Sequence, residues 1–120
     1  MSVIHIATEF WQEETIVEAL KRFNADERIK ALAVFGSYGA SPHLCDEWSD
    51  LDLFLVVEDG ALPEFASGVK WVEEFGELYA YEQSANSFSS TTRCCFRDGR
   101  KIDFVAALST ACKTLRIGRT

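Results

Sequence analysis

Residues 48–57, Trp-Ser-Asp-Leu-Asp-Leu-Phe-Leu-Val-Val, follow residues 34–40, Val-Phe-Gly-Ser-Tyr-Gly-Ala, across a polar loop. One apolar run therefore ends at a Gly-Ser turn, and a second opens with two aspartates one residue apart. Because successive side chains of a strand alternate between its two faces, Asp50 and Asp52 are predicted to share a face, ~7 Å apart along the strand. Two such carboxylates resist joint ionisation unless a cation lies between them.

The Gly-Ser turn supplies the second half of a ligand site. Gly36 offers bare backbone and Ser37 a hydroxyl, and both suit a phosphate group. Combined with Asp50 and Asp52, they predict a site for a metal-bound nucleoside triphosphate. Each residue alone has a plainer explanation, since Asp50 could cap a turn before a strand and Ser37 could serve the chemistry of the turn itself.

The first half of the chain predicts one helix and two strands. Glutamates face away from an apolar stripe at helical spacing, which predicts an amphipathic helix of about four turns packed on the core. The stripe consists of Trp11, Ile16, Ala19, Leu20 and Phe23. Residues 29–35 form a short apolar run bounded by turn residues, and predict a strand buried on both faces. Residues 51–57 predict the second strand.

The second half of the chain predicts further helices and strands. Apolar residues at helical spacing over residues 62–75, followed by Gly76, predict a helix and its stop. A third strand is predicted over residues 77–82. A Ser/Thr-rich loop is predicted over residues 84–92, and a short final helix over residues 106–115.

Asp98-Gly99 marks the clearest hairpin of the sequence, between predicted strands over residues 93–96 and 101–105. Asp103 lies inside the returning strand between two large apolar residues, which is an unusual place for a carboxylate in a central strand. It therefore belongs to a site, lies on a solvated face of the sheet, or pairs with Arg100.

The four cysteines are Cys45, Cys94, Cys95 and Cys112. They lack the paired spacing of a zinc site, and adjacent cysteines in a strand would point to opposite faces. We therefore expect buried or half-buried free thiols rather than a metal centre or a disulfide framework.

The composition indicates one globular domain, because 48% of the 120 residues are apolar and nine are phenylalanine. No apolar run approaches the ~20 residues of a membrane span. Residues 1–8 lack a basic segment followed by a long apolar one, so no signal peptide is visible. A cytoplasmic protein without a membrane partner is expected.

Charge is distributed unevenly along the chain. Residues 1–92 carry 5 Lys/Arg against 17 Asp/Glu, a net −12, whereas residues 93–120 carry 7 against 2, a net +5. An acidic body argues against binding to long nucleic acids, which requires clustered cations. It is compatible with a small cationic acceptor, although an acidic surface usually signals only solubility.

The ordered combination of Gly36-Ser37, Asp50-x-Asp52 and a lone Asp103 in a later strand resembles the polymerase-β-like nucleotidyltransferase superfamily. Residues 46–53, Asp-Glu-Trp-Ser-Asp-Leu-Asp-Leu, look especially like the small antibiotic nucleotidyltransferases and the minimal bacterial nucleotidyltransferases. The resemblance covers residues 29–57 well and residues 100–106 adequately.

The resemblance implies that Gly36 and Ser37 hold the triphosphate of the nucleotide, with ATP expected. It implies that Asp50 and Asp52 ligate the metal, and that Asp103 completes the catalytic and metal-binding set beside the attacking hydroxyl. Two Mg²⁺ ions ~3.5–4 Å apart can stabilise the attacking and leaving oxygens of an in-line displacement. Carboxylate, phosphate and water oxygens are the ligands that Mg²⁺ prefers.

The resemblance also implies an α/β (α+β) fold, a mixed β-sheet with helices packed on one side. The whole of residues 1–120 is expected to form a single nucleotidyltransferase-like catalytic domain without a C-terminal helical domain. The general base is not fixed by the pattern. Glu77 and Glu82 are candidates only because they are nearby in the predicted layout.

Three readings of function follow. The first is a metal-dependent nucleotidyltransferase that moves AMP from ATP to a hydroxyl of a small molecule, such as an aminoglycoside- or lincosamide-like antibiotic. The second is a minimal nucleotidyltransferase that acts with or on a helical protein partner, as in toxin–antitoxin pairs. The third is a nucleotide-binding remnant without turnover. Apolar surface left by the absent helical domain predicts a homodimer or a helical protein partner.

Overall fold

The computed structural model describes residues 11–35 and 49–110 of the chain. Five strands form its centre, and one long and one short α-helix accompany them. Short 3₁₀ turns lie on either side of the second helix, at Asp59–Ala61 and Glu73–Phe75. In chain order the elements are α1 (Trp11–Asn24), β1 (Ile29–Phe35), β2 (Leu51–Val57), α2 (Leu62–Ala66), β3 (Leu78–Ala85), β4 (Ser89–Phe96) and β5 (Lys101–Leu108).

The strands form one mixed sheet in the order β1-β2-β5-β4-β3. β2 and β5 run parallel, and the other neighbouring strands are antiparallel. The amino-terminal ends of β2 and β5 therefore meet at the same end of the sheet, beside the carboxyl-terminal end of β1. The predicted mixed sheet is confirmed, and this meeting point positions the candidate site.

The core lies between the helices and one face of the sheet. Along β2 every second side chain, from Leu51 to Val57, is buried, and those between are half-buried. Trp71 joins the layers, since its ring centroid lies 5.2 Å from that of Phe65 and 5.1 Å from that of Phe104. Each such edge-to-face pair stabilises the fold by about 0.5–1.5 kcal/mol beyond the burial of its area. The helices thus cover one face, as predicted.

The predicted amphipathic helix is confirmed as α1, although its buried face differs in detail. Gln12, Thr15, Ala19 and Phe23 are buried, whereas Leu20 is 52% exposed. Gln12 is buried because its Nε2 donates to the Ser49 carbonyl at 2.9 Å. This bond ties α1 to the segment that leads into β2.

The expectation that residues 29–35 are buried on both faces is wrong. Among the described strands β1 lies at the edge of the sheet and pairs with β2 alone, and its side chains are half-buried or exposed. Its apolar side chains instead pack against side chains of the adjacent strand β2. Phe35, for example, lies 5.2 Å from Phe54 between ring centroids.

The single helix predicted over residues 62–75 is also wrong. α2 ends at Ala66. The Pro63 carbonyl accepts the last α-helical bond, from the Ser67 backbone N–H at 3.1 Å, and also accepts from the Ser67 hydroxyl at 2.7 Å. Gly68 follows at φ +153°, a conformation that favours glycine. The later apolar residues still reach the core, through turns and the 3₁₀ segment Glu73–Phe75.

The third strand is longer than predicted, and the loop predicted over residues 84–92 is wrong. β3 extends to Ala85 and β4 begins at Ser89, so the two form a hairpin. The Asn86 carboxamide oxygen accepts from the backbone N–H groups of Phe88 and Ser89, at 2.7 and 3.0 Å. This Asx-type turn closes the hairpin without the glycine that a sequence search would look for.

The predicted Asp-Gly hairpin is confirmed between β4 and β5. The final helix predicted over residues 106–115 is wrong at its start, since β5 continues to Leu108 before a helical turn begins at Ser109. Its remainder lies outside the described residues. No helix in the described ranges is long and apolar enough to cross a bilayer.

Candidate functional site

Asp52 and Asp103 lie side by side on the two central, parallel strands. They are register partners between β2 and β5. Their side chains point to the face of the sheet opposite the helices, because the residues next to them, Leu51, Leu53 and Phe104, are buried in the core. The carboxyl groups share a hydrogen bond. Two strands far apart in the sequence thus bring two acids into direct contact.

The surroundings of this pair disfavour ionisation. Burial raises the pKa of Asp52 above its ordinary 3.8, and the charge of Asp50 adds to that effect. Burial, followed by the charge of Asp52, raises the pKa of Asp103. Raised pKa values mean that this half-buried acid pair is costly to ionise unless a cation arrives.

Asp50 lies just before β2 and is more exposed than the pair. One of its carboxylate oxygens is 3.8 Å from the Lys101 amino nitrogen, and its side chain is 47% exposed. Its charge nevertheless reaches both members of the pair, because it raises the pKa of Asp52 and of Asp103. The structure therefore brings Asp52 and Asp103 together and leaves Asp50 beside them.

Arg93 is the cation that faces the pair. It lies on β4 as the register partner of Asp103, and its charge lowers the pKa of both Asp52 and Asp103. Its side chain is exposed. No salt bridge within 4.0 Å joins it to an acid in residues 11–35 and 49–110. Arg93 is therefore available to an anion bound at this face.

The donor set at the pair fits a magnesium ion. It consists of carboxylate oxygens with raised pKa values, and Mg²⁺ takes oxygen ligands of this kind. Among the described residues, no group of three or more His, Cys, Asp or Glu side chains is already arranged around an ion position. The position of Asp50 near Lys101 agrees with this, since it leaves a pair rather than a triad.

Gly36 and Ser37, the predicted phosphate-binding residues, lie outside the described residues. The described part of β1 ends at Phe35, which is the register partner of Asp52. The strand that precedes the Gly-Ser turn therefore ends at the level of the acid pair.

The other predicted acids divide between two places. Glu77 pairs with Arg97 at 3.0 Å, next to the turn between β4 and β5. Glu82 lies on β3 as the register partner of Arg93, in line with the acid pair. Arg100 does not pair with Asp103. It bonds to Asp98 at 2.9 Å on the helix side of the sheet.

The expected free thiols are confirmed for the two cysteines that the structure describes. Cys94 is buried and Cys95 half-buried, on opposite faces of β4. Burial raises the pKa of the Cys94 thiol to about 12, so this thiol stays protonated. Cys45 and Cys112 lie outside the described residues.

Arg93 is a site residue missing from the predicted set, although the length of the β4–β5 turn is a signal for it. The β4–β5 turn contains three residues, because the Phe96 N–H donates to the Arg100 carbonyl and the Gly99 N–H to the Phe96 carbonyl. Gly99 has φ +99°, as this turn requires. Counting back from a three-residue turn places Arg93 opposite Asp103, whereas a two-residue Asp-Gly turn places it opposite Phe104.

A family model for streptomycin adenylyltransferase matches residues 11–116. The match spans nearly the whole chain. The chain belongs to the streptomycin adenylyltransferase family. This membership confirms the resemblance to polymerase-β-like nucleotidyltransferases that the Gly-Ser turn and the three aspartates indicated.

A solved structure shares the fold of this chain. An aminoglycoside 6-adenyltransferase from Bacillus subtilis superposes with a TM-score of 0.63 at 20% sequence identity, over 87% of this chain and 37% of that chain. This family member thus spans little more than a third of that enzyme. A GLD-2/RNP-8 complex matches 92% of this chain and 43% of its own at a TM-score of 0.40 and 12% identity, which is too weak for an argument. No curated protein matches.

Proposed function

We propose that this chain transfers AMP from ATP to a hydroxyl of an aminoglycoside-like antibiotic in a metal-dependent reaction. The observation that carries the proposal is the Asp52–Asp103 pair, two half-buried acids in register on β2 and β5 whose environment raises both pKa values. Family membership supports nucleotidyl transfer. The fold shared with an aminoglycoside 6-adenyltransferase is consistent with it.

The acid pair gives the metal its place in this proposal. Asp52 and Asp103 would hold Mg²⁺, with Asp50 close enough to join them. When bound, Mg²⁺ supplies charge stabilisation to the phosphoryl group during an in-line displacement. The side chains themselves supply negative charge at a fixed position, on two strands that the sheet keeps in register.

The remaining parts of the site serve the nucleotide. Gly36 and Ser37 are proposed to bind the triphosphate, through bare backbone and a hydroxyl. Arg93 is proposed to contact a phosphate oxygen, since its guanidinium is exposed beside Asp103 and guanidinium groups suit phosphate geometry. ATP is the proposed nucleotide because the matching family is an adenylyltransferase family.

Calorimetric binding of ATP, GTP, CTP and UTP to the full chain, with and without Mg²⁺, tests the first half of the proposal. We expect ATP to bind in a Mg²⁺-dependent manner, and Asp52→Asn and Asp103→Asn each to weaken binding of the complex. Glu27→Gln is the matched control, because this exposed carboxylate precedes β1 at the opposite end of the strand from the site.

Transfer itself is tested with α-labelled ATP and streptomycin as acceptor. Label on the acceptor with wild-type protein, and none with Asp103→Asn, is the expected result. Folded wild-type protein that binds no nucleotide in Mg²⁺ would refute the proposal. If Asp52→Asn binds nucleotide as strongly as wild type in Mg²⁺, the metal is not bound by the acid pair.

A further inference from the structure

A row of charged residues crosses the open face of the sheet. Asp52 pairs in register with Asp103, Asp103 with Arg93, and Arg93 with Glu82, on β2, β5, β4 and β3. The row therefore carries two acids, then a base, then an acid. Each step between neighbouring strands is ~4.8 Å, so Glu82 lies ~10 Å from Asp103 between backbones.

A polar groove lies at the end of this row that Arg93 and Glu82 form. Glu82, Ser84, Thr91 and Arg93 line a cavity of about 170 Å³. Ser84 and Thr91 are themselves register partners, one row further along the same face. The groove thus offers one carboxylate and two hydroxyls, next to the guanidinium that borders the acid pair.

The Glu82 carboxylate is not neutralised by its neighbours in the described part of the chain. Its side chain is exposed, and no salt bridge within 4.0 Å joins it to Arg93 or to another described cation. The charge of Arg93 acts instead on Asp52 and Asp103, whose pKa values it lowers. Glu82 therefore keeps a free anionic group at the groove.

We infer that this groove is the acceptor subsite, and that Glu82 selects a cationic, hydroxylated acceptor by its amino or guanidino group. Ser84 and Thr91 would exchange hydrogen bonds with acceptor hydroxyls. The inference rests on the proposed function and adds the residues that choose the acceptor. A carboxylate binding a guanidino or amino group forms a charge-assisted hydrogen bond, which is stronger than a neutral one.

The size and position of the groove define how the acceptor is held. Pockets that enclose drug-sized ligands measure roughly 300–1,000 Å³, so a groove of about 170 Å³ takes one end of such a molecule. The other end can then extend along the row toward Asp103. A general base must lie within about 2.6–3.2 Å of the proton that it removes. The separation of Glu82 from the acid pair therefore assigns it to recognition rather than to proton transfer.

Titration calorimetry of the full chain with streptomycin, a cationic guanidino sugar, tests the inference. We expect Glu82→Gln to raise the Kd for streptomycin about tenfold, the scale of a lost charge-assisted bond. The Kd for Mg²⁺–ATP should stay unchanged. Glu82→Asp, which keeps the charge, should recover part of the affinity, and Glu27→Gln should match wild type.

Ionic strength supplies a readout that a merely structural role would not move. Wild-type affinity for streptomycin should fall as salt is raised, because salt screens an exposed charge pair. The affinity of Glu82→Gln should depend on salt much less. Equal Kd values for wild type and Glu82→Gln would overturn the inference.

The outcomes separate this inference from the proposed function. Protein that transfers AMP to streptomycin but binds it with equal Kd in wild type and Glu82→Gln overturns the inference alone. Protein that binds streptomycin through Glu82 but no nucleotide supports the subsite and refutes the proposed transfer. Binding of both ligands, with only the streptomycin arm sensitive to Glu82→Gln, supports both.

Discussion

Asp52 on β2 and Asp103 on β5 are direct register partners on parallel strands, and their carboxyl groups share a hydrogen bond. This contact places two acids at the centre of the sheet. Burial and the charge of Asp50 raise the pKa of Asp52, and burial and the charge of Asp52 raise the pKa of Asp103. A position that disfavours two anions in the free protein is favourable for a divalent cation. The pair therefore trades stability for ligand binding.

Asp103→Asn should stabilise the metal-free protein at neutral pH while abolishing transfer. The carboxamide keeps a hydrogen bond to Asp52 and removes one of the two charges, so the cost of ionising the pair disappears. We expect Tm in EDTA to rise by a few degrees in scanning calorimetry. Mg²⁺ should raise the Tm of wild type only. A lower Tm for the variant in EDTA would contradict the argument.

The stability of the metal-free protein should fall as pH rises above 3.8, the ordinary pKa of aspartate. Raised pKa values mean that the folded state binds more protons than the unfolded state, so the free energy of unfolding decreases with pH through that interval. Urea unfolding in EDTA across this range measures the slope. Subtracting the Asp103→Asn curve isolates the pair, and the variant's advantage should grow with pH.

Acid pH should act through a different residue, which keeps the two effects apart. The hydrogen bond from Arg28 lowers the pKa of Asp26, despite an opposing effect of burial. This contribution is present above 3.8 and is lost as pH falls through the lowered value. If the stability of wild type minus that of Asp103→Asn stays constant or rises as the pH rises, the acid pair does not carry the expected cost.

Gly76→Ala should destabilise the fold by about 1–3 kcal/mol, the usual cost of a strained backbone conformation. Gly76 has φ +153°, and a Cβ there would collide with the Arg100 guanidinium. That guanidinium bonds to the Phe75 carbonyl and lies 4.7 Å from the Phe96 ring centroid. Urea unfolding measures the loss. Gly60→Ala, where a Cβ meets nothing within 4 Å, should stay within about 0.5 kcal/mol of wild type.

Gln83→Glu should cost about 1–3 kcal/mol, because it replaces a half-buried donor by an acceptor. The Gln83 Nε2 donates to the carbonyls of Phe65 and Gly68, at 3.2 and 3.0 Å, and to the Thr92 hydroxyl at 3.0 Å. A carboxylate would face the two carbonyls without a proton to share. Glu82→Gln, the reverse exchange one residue away on the open face, should leave thermal stability unchanged. If the two variants are equally stable, the hydrogen bonds from Gln83 to the end of α2 do not stabilise the fold.

The sequence predicted correctly those elements whose residue pattern is compatible with only one type of secondary structure. The bounds of β1 and β2 match the prediction over residues 29–35 and 51–57. Turn residues flank both apolar runs, and each run is too short for a helix of ordinary length. Asp52 and Asp103 could also be assigned to one site, since each lies near the start of an apolar strand and the resemblance groups them.

Other features depended on contacts that no local pattern encodes. The 62–75 segment has helical periodicity, yet the helix ends early, where the Ser67 hydroxyl bonds to the Pro63 carbonyl and Gly68 has a positive φ. The β3–β4 hairpin was missed because its polar residues face a sheet surface rather than solvent loops. Thr92, for example, is buried where it accepts from Gln83. The pairing of Arg93 with Asp103 was not predicted, because it changes when the turn between β4 and β5 is one residue shorter.

Because β2 and β5 are parallel partners, the acid pair forms only when the whole sheet has formed. β3, β4 and β5 are joined by short turns and can associate as a local meander, whereas β2 meets β5 only after a long segment of chain has folded back. A half-ordered chain therefore presents one acid or the other, never the pair. Any cation that bridges the two strands then stabilises the whole sheet rather than one segment. Ligand binding and cooperative unfolding should accordingly be lost together.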